Sequence, residues 1–168
     1  MTRASMVNVA LGVVLLALLS WLVLFAFRGV GAVPVTTSAE RTAQEHTEIT
    51  RAARAGTLAF LTTDHTRMDE LTDEVLDHAT GEFKEQYEAS VDSLKEAATS
   101  EESYSKGSVE EVGLGEVTDD SASAFVAAGS EVRNKGTKGE TENRSWRMKL
   151  TMTKEDGRWL ISQLEFVG

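Results

Sequence analysis

The stretch NRSWRMKLTMTKEDGRWLISQLEFV, Asn143 to Val167, decides the fold. Its first half alternates: Trp146, Met148, Leu150 and Met152 share one parity, and Arg147, Lys149, Thr151 and Thr153 the other. Period two with a single apolar face predicts an antiparallel strand over about 143–154, buried on one side. Glu155-Asp156-Gly157-Arg158 is a hairpin signal, because an Asp-Gly pair tolerates the positive φ angles of a two-residue turn. The next strand, about 158–167, starts with Trp159 and Ile161 in one parity and ends with Leu164 and Phe166 in the other. A bulge near Ser162-Gln163 accounts for that switch and bends the strand, giving the sheet a concave face.

Working back from this hairpin, residues 122–132 alternate Ala124, Val126, Ala128 and Val132 against Phe125 and Ala127. Thr118-Asp119-Asp120-Ser121 supplies a turn, and Val112 and Leu114 mark a further strand over about 108–118. Upstream the period becomes helical. Ala39, Ala43, Ile49, Ala53, Gly56 and Phe60 form a stripe over about 36–63 with His46 on it, and Ala52, Ala53, Ala55 and Ala59 invite close packing. Met68, Leu71, Val75 and Ala79 define a short helix over about 67–79, with Thr66 and Asp69 in the form of a capping box. Thr80-Gly81 makes a corner. A third helix over about 82–103 is expected to bury Phe83, Tyr87, Val91, Leu94 and Ala98. Three helices followed by a meander of about four antiparallel strands, curved over the longest helix, describe an α+β cone.

Ahead of this domain stands ASMVNVALGVVLLALLSWLVLFAF, twenty-four uncharged residues from Ala4 to Phe27. At ~1.5 Å per residue a helix of that length reaches about 36 Å, enough to cross a hydrocarbon core of roughly 30 Å with some tilt. The run is too long for the apolar region of a cleaved signal peptide, so a retained transmembrane anchor is expected, its span about 6–27. Residues 1–33 are then tail and anchor, and 34–168 one domain beyond the membrane. Arg3 on the short N-terminal tail places that tail in the cytoplasm, making a single-pass cell-membrane protein with an extracytoplasmic domain. Pro34 lies where the membrane helix would end.

Charge narrows the function classes. After the anchor, twenty-seven acidic residues face fifteen basic ones. Glu40 to Glu111 carries a net charge of −11, whereas Val112 to Gly168 carries −1. Nucleic acid and anionic lipid surfaces require basic patches, so neither is an expected partner. The absence of cysteine excludes disulfides and thiolate metal sites.

The single anchor, the segment AARAGTLAFLTTD, the corner TGEF and the terminal DGRWLISQLEFV together resemble the Mce-associated membrane proteins, which have an NTF2-like domain. Thr80, Gly81, Phe83, Gly157 and Trp159 carry the resemblance, while Thr63 and His65 stand where members often have an aromatic. The resemblance implies a non-catalytic accessory subunit that supports assembly or stability of an Mce-type complex moving lipids, such as sterols or fatty acids, across a bacterial envelope. Its implied partners are Mce subunits and, through the anchor, the bilayer. It carries over no catalytic, cofactor or metal residues.

Two other readings share the architecture. Single-anchor NTF2-like subunits also act as scaffolds in secretion and conjugation machines. Other NTF2-like domains are isomerases or dehydratases that use a carboxylate or His with a Tyr inside the cone, for which His46, Tyr87 and Tyr104 are the available residues. The discriminating feature is a deep pocket with a buried carboxylate lined by Tyr or His. Metal binding is weaker, since His65 with Asp69 and His78 with Glu82 are two-ligand pairs without the further ligands that zinc needs. The acids from Asp69 to Asp77 are better explained as the wet face of the short helix.

Overall fold

The computed structural model describes Ser20 and residues 37–167. Apart from Ser20, the expected anchor over about 6–27 lies outside the described residues, and among those residues no helix is long and apolar enough to cross a membrane. The chain divides into two compact units, Met1–Arg41 and Thr42–Gly168. In the first, Thr37 and Glu40 close a reciprocal capping box: Thr37 N donates to Glu40 Oε2 at 2.7 Å, and Glu40 N donates to Thr37 Oγ1 at 3.2 Å. This starts helix α1, Ser38–Leu61.

The second unit continues α1 and adds β1 (Thr63–Asp64), α2 (Met68–Asp77), α3 (Gly81–Glu101), β2 (Tyr104–Val117), β3 (Ser121–Arg133), β4 (Glu142–Glu155) and β5 (Arg158–Phe166). The strands form one antiparallel sheet in the order β1-β2-β3-β4-β5. Five strands replace the four expected, because Thr63 and Asp64 pair with Ser105 and Tyr104 and so extend β2 back to Tyr104. A two-residue strand has too few positions to show a period, which is why it escapes a sequence reading.

The β4–β5 hairpin forms on the Asp-Gly pair, with Asp156 at φ 50° and Gly157 at φ 78°. Opposite β4, Thr151 pairs with Gln163 and Met152 with Ile161, so Ser162 is the extra residue of a bulge. Trp159 and Ile161 are buried before it; Leu164 is half-buried and Phe166 exposed after it. Register shifts between Val109 and Glu111 and between Leu114 and Val117 add curvature along β2.

The concave face of the sheet holds the core. Ala122, Ala124, Val126 and Ala128 of β3 lie opposite Met152, Leu150, Met148 and Trp146 of β4. All of these except half-buried Trp146 are buried. They pack with Ile49, Ala53, Ala59 and Leu61 of α1, Val75 of α2, and Ala79, Phe83, Trp159 and Ile161 in one cluster. Complete burial of a side chain such as Leu150 or Ile161 contributes about 1.5–3 kcal/mol.

Two expected stripes are shorter in the structure. On α1 the buried residues begin at Ile49, while Ala43 and His46 are exposed, so His46 is a surface residue and Ala43 contributes nothing to the core. On α3 only Phe83 and Ala98 are buried, and Leu94 is 40% exposed. The Thr66–Asp69 capping box also gives way. Arg67 is the N-cap of α2 with no side-chain cap bond, and Thr66 instead donates from N and Oγ1 to Asp64 Oδ1 at 3.0 and 2.7 Å. That short-range turn competes with the cap for the same side chain.

Candidate functional site

The TGEF corner is built by β5. Thr80 N donates to Ile161 O at 2.8 Å and Ile161 N donates to His78 O at 2.9 Å, forming a parallel bridge at Ala79 and Ile161. Thr80 Oγ1 donates to Glu155 Oε1 at 2.7 Å. Gly81 then turns the chain at φ +51°, where a Cβ would be strained, and α3 begins. On α1, Gly56 allows the same β5 residue to approach: a Cβ there would lie 2.5 Å from Ile161 Cδ1. The corner resemblance therefore rests on residues that fix packing.

Phe83, the last residue of the motif, begins a run of aromatics. Phe60 meets Phe83, Tyr87 and Phe166 at centroid distances of 5.9, 6.4 and 6.3 Å, and Phe166 meets Trp146 at 5.5 Å. These separations fit the preferred spacing of aromatic pairs. Phe83 is buried and Phe166 is 55% exposed, so the run leads from core to surface. Burial pushes the Tyr87 phenol up from its ordinary value, away from neutrality.

The candidate acid and base residues are not brought together. Every Asp and Glu among the described residues is at least partly exposed, so none offers Tyr87 or Tyr104 a buried carboxylate. His46 is exposed, on α1 before that helix enters the core. The two histidine pairs are also taken apart: Asp69 binds Lys95 Nζ at 2.6 Å, and Glu82 accepts from Gln86 and Gln163 at 2.7 and 3.1 Å. Gly81 breaks the helix between His78 and Glu82. Among the described residues no three His, Asp or Glu side chains cluster as a metal site. Asp64 is held below the usual carboxylate range by the Thr66 hydroxyl and amide, and Asp77 by Arg158, which it binds at 2.9 Å. The arrangement offers apolar and ionic contact at the surface and no buried proton-transfer pair among the described residues.

One cluster was missed by the sequence reading. Arg133, Lys135 and Lys138 join His65, Glu102 and Tyr104 around an open hollow of about 540 Å³. The spacing of RNKGTKG hints at it only through its density of cations after a strand.

The fold is NTF2-like, an α+β arrangement of three helices on a five-stranded antiparallel sheet. The chain belongs to the family described as uncharacterized protein Rv1363c/MT1408-like, whose model matches residues 9–168. It is 29% identical over 115 residues to uncharacterized protein Rv1363c of Mycobacterium tuberculosis, a match over 68% of this chain and 44% of that relative. Thus the match spans less than half of the relative's length. Among solved structures, an IcmL-like type IV secretion system protein from Legionella pneumophila superposes with TM-score 0.58 and 12% identity, covering 72% of this chain and 91% of its own. CagV, a VirB8 homologue from Helicobacter pylori, gives 0.58 at 4% identity over 72% and 97%. VirB8 of Agrobacterium tumefaciens gives 0.55 at 9% identity over 74% and 92%. At these identities the likeness establishes fold alone.

Proposed function

We propose that the chain is a membrane-anchored, non-catalytic scaffold subunit of a multi-subunit secretion-type machine in a bacterial envelope. The observation that carries this reading is the likeness of the described domain to NTF2-like domains of type IV secretion proteins over more than nine-tenths of their chains. Two features support it. An uncharged run of twenty-four residues precedes the domain, which suits a single-pass anchor with the N-terminus in the cytoplasm. The concave face is packed with Met148, Leu150, Met152 and Ile161, and no carboxylate among the described residues is buried there, which suits a docking role better than acid–base chemistry.

A second reading is an accessory subunit of an Mce-type lipid-transport complex, favoured by the TGEF corner and the DGRWLISQLEFV strand. Both readings make the domain a protein-binding module and differ in the partner. Tagged full-length protein, extracted from its native membrane in mild detergent, separates them by mass-spectrometric identification of what is retained. Secretion-channel subunits support the first reading, and Mce subunits support the second at its expense. Recovery of neither, under conditions that preserve both complexes, sinks both.

A further inference from the structure

The hollow beside Tyr104 gathers three cations, Arg133, Lys135 and Lys138, with one carboxylate, Glu102. Strand pairing assembles it: Asp64 pairs with Tyr104, and Tyr104 with Arg133, so His65, Tyr104 and Arg133 arrive from three separate parts of the chain. The Arg133 guanidinium lies over the Tyr104 ring, 4.8 Å from its centroid. Stacking of this kind orients the planar group and leaves its N–H donors at the edge free for an acceptor.

The loop after β3 is held as firmly. Asn134 N donates to Thr137 Oγ1 at 3.1 Å, Thr137 N donates to Asn134 Oδ1 at 2.9 Å, and Thr137 Oγ1 donates to Asn134 O at 3.0 Å. Lys138 and Gly139 follow with φ of 54° and 80°. Lys135 serves the end of α3: its N donates to Glu101 O at 2.9 Å, and its Nζ reaches Ser100 O at 2.7 Å and Glu102 Oε1 at 3.2 Å. Lys135 and Glu102 thus neutralise each other. None of the ion pairs among the described residues includes Arg133 or Lys138. Although the chain has twenty-seven acidic residues, these two cations stand at one hollow without an ion-pair partner among the described residues. His65, on the same wall, has its Nδ1 buried without a hydrogen-bond partner among the described residues.

We infer that this hollow binds a phosphate group, free or on a lipid headgroup, through Arg133 and Lys138. The two unpaired cations supply a formal charge of +2, which matches a phosphomonoester carrying about −1.5 to −2 at neutral pH. A carboxylate or a phosphodiester, with one negative charge, leaves a cation uncompensated. The guanidinium fork fits two phosphate oxygens, and Lys138 acts as a point charge toward the third. The amides of Asn134, Lys135, Thr137, Lys138 and Gly139 already have partners, so recognition falls to the side chains.

The test uses the full-length chain in uncharged detergent, with amide chemical shifts followed at pH 7 and constant ionic strength while inorganic phosphate is added. Saturable shifts at Tyr104, Arg133, Lys138 and Gly139 are expected, weakened about tenfold or more by Arg133→Gln or Lys138→Gln and less by Arg133→Lys. Short-chain phosphatidic acid forms the second arm, with short-chain phosphatidylcholine as control. Tighter binding of phosphatidic acid than of phosphate assigns the site to a lipid headgroup, and equal or weaker binding to a free phosphate. The inference is overturned if neither ligand gives saturable shifts, or if both bind Arg133→Gln as well as the parent chain while its spectrum shows the same fold.

Discussion

Phe83 and Leu94 lie on one expected stripe of α3, about three turns apart, and meet opposite fates. Phe83 is 8% exposed, contacts Phe60 and Tyr87 edge-on or tilted, and follows the corner held by β5. Leu94 is 40% exposed. Helical periodicity says which residues share a face and says nothing of how far the opposing sheet extends beneath it. The first end of α3 is built into the cone, whereas its middle is joined to α2 by the exposed-side Lys95–Asp69 pair. Here stability is concentrated where β5 reaches the helices.

The largest test of that contrast is a pair of truncations. Phe83→Ala should lower unfolding free energy by about 3–5 kcal/mol, and Leu94→Ala by less than about 0.5 kcal/mol, measured by urea denaturation. Equal losses would show that the middle of α3 is as well packed as its start. Next, Gly81→Ala should cost about 1–2 kcal/mol, because the alanine Cβ must be carried at φ +51°. An unchanged denaturation midpoint would mean that the corner can turn by another route.

Thr57 sharpens the picture from within the core. Its side chain has no solvent exposure and its Oγ1 has no hydrogen-bond partner among the described residues. Thr57→Val removes the unsatisfied hydroxyl at nearly constant shape and should raise stability by up to about 1 kcal/mol. A loss of stability would instead show that the hydroxyl is hydrogen-bonded in the folded chain.

The smallest effect is expected at the surface pair of Asp77 and Arg158. Arg158 holds the Asp77 carboxyl below its ordinary range, so the pair contributes above the unfolded carboxylate value. That contribution disappears as pH falls through the lowered folded value. Asp77→Asn should therefore melt slightly below the parent chain at neutral pH and together with it in acid. Both side chains are more than half exposed, and added salt should shrink the neutral-pH difference. A difference that persists in acid would assign it to packing.

Much of the cone was legible because its signals are local. The alternation of Trp146 to Met152, the Asp-Gly turn and the parity switch after Ile161 each lie within one hairpin, and together they imply a curved sheet. The features that were not legible depend on partners far along the chain. Leu94 needed the extent of the sheet, and His46 needed the point at which α1 enters the core. The cationic hollow is the clearest instance, since His65, Tyr104 and Arg133 meet only through the β1–β2–β3 register. The histidine–carboxylate pairs are separated in the same way, because Lys95 and Gln163, from elsewhere along the chain, take the carboxylates of Asp69 and Glu82.

The central claim is that the interior of the cone is committed to its own packing and that function lies on its surface. Native mass spectrometry of the full-length chain, released from its own membrane in mild detergent, tests this directly. The account predicts a mass with no stoichiometric apolar small molecule retained by the folded domain. One apolar ligand per chain, displaced by Leu150→Phe in the concave face, would contradict it.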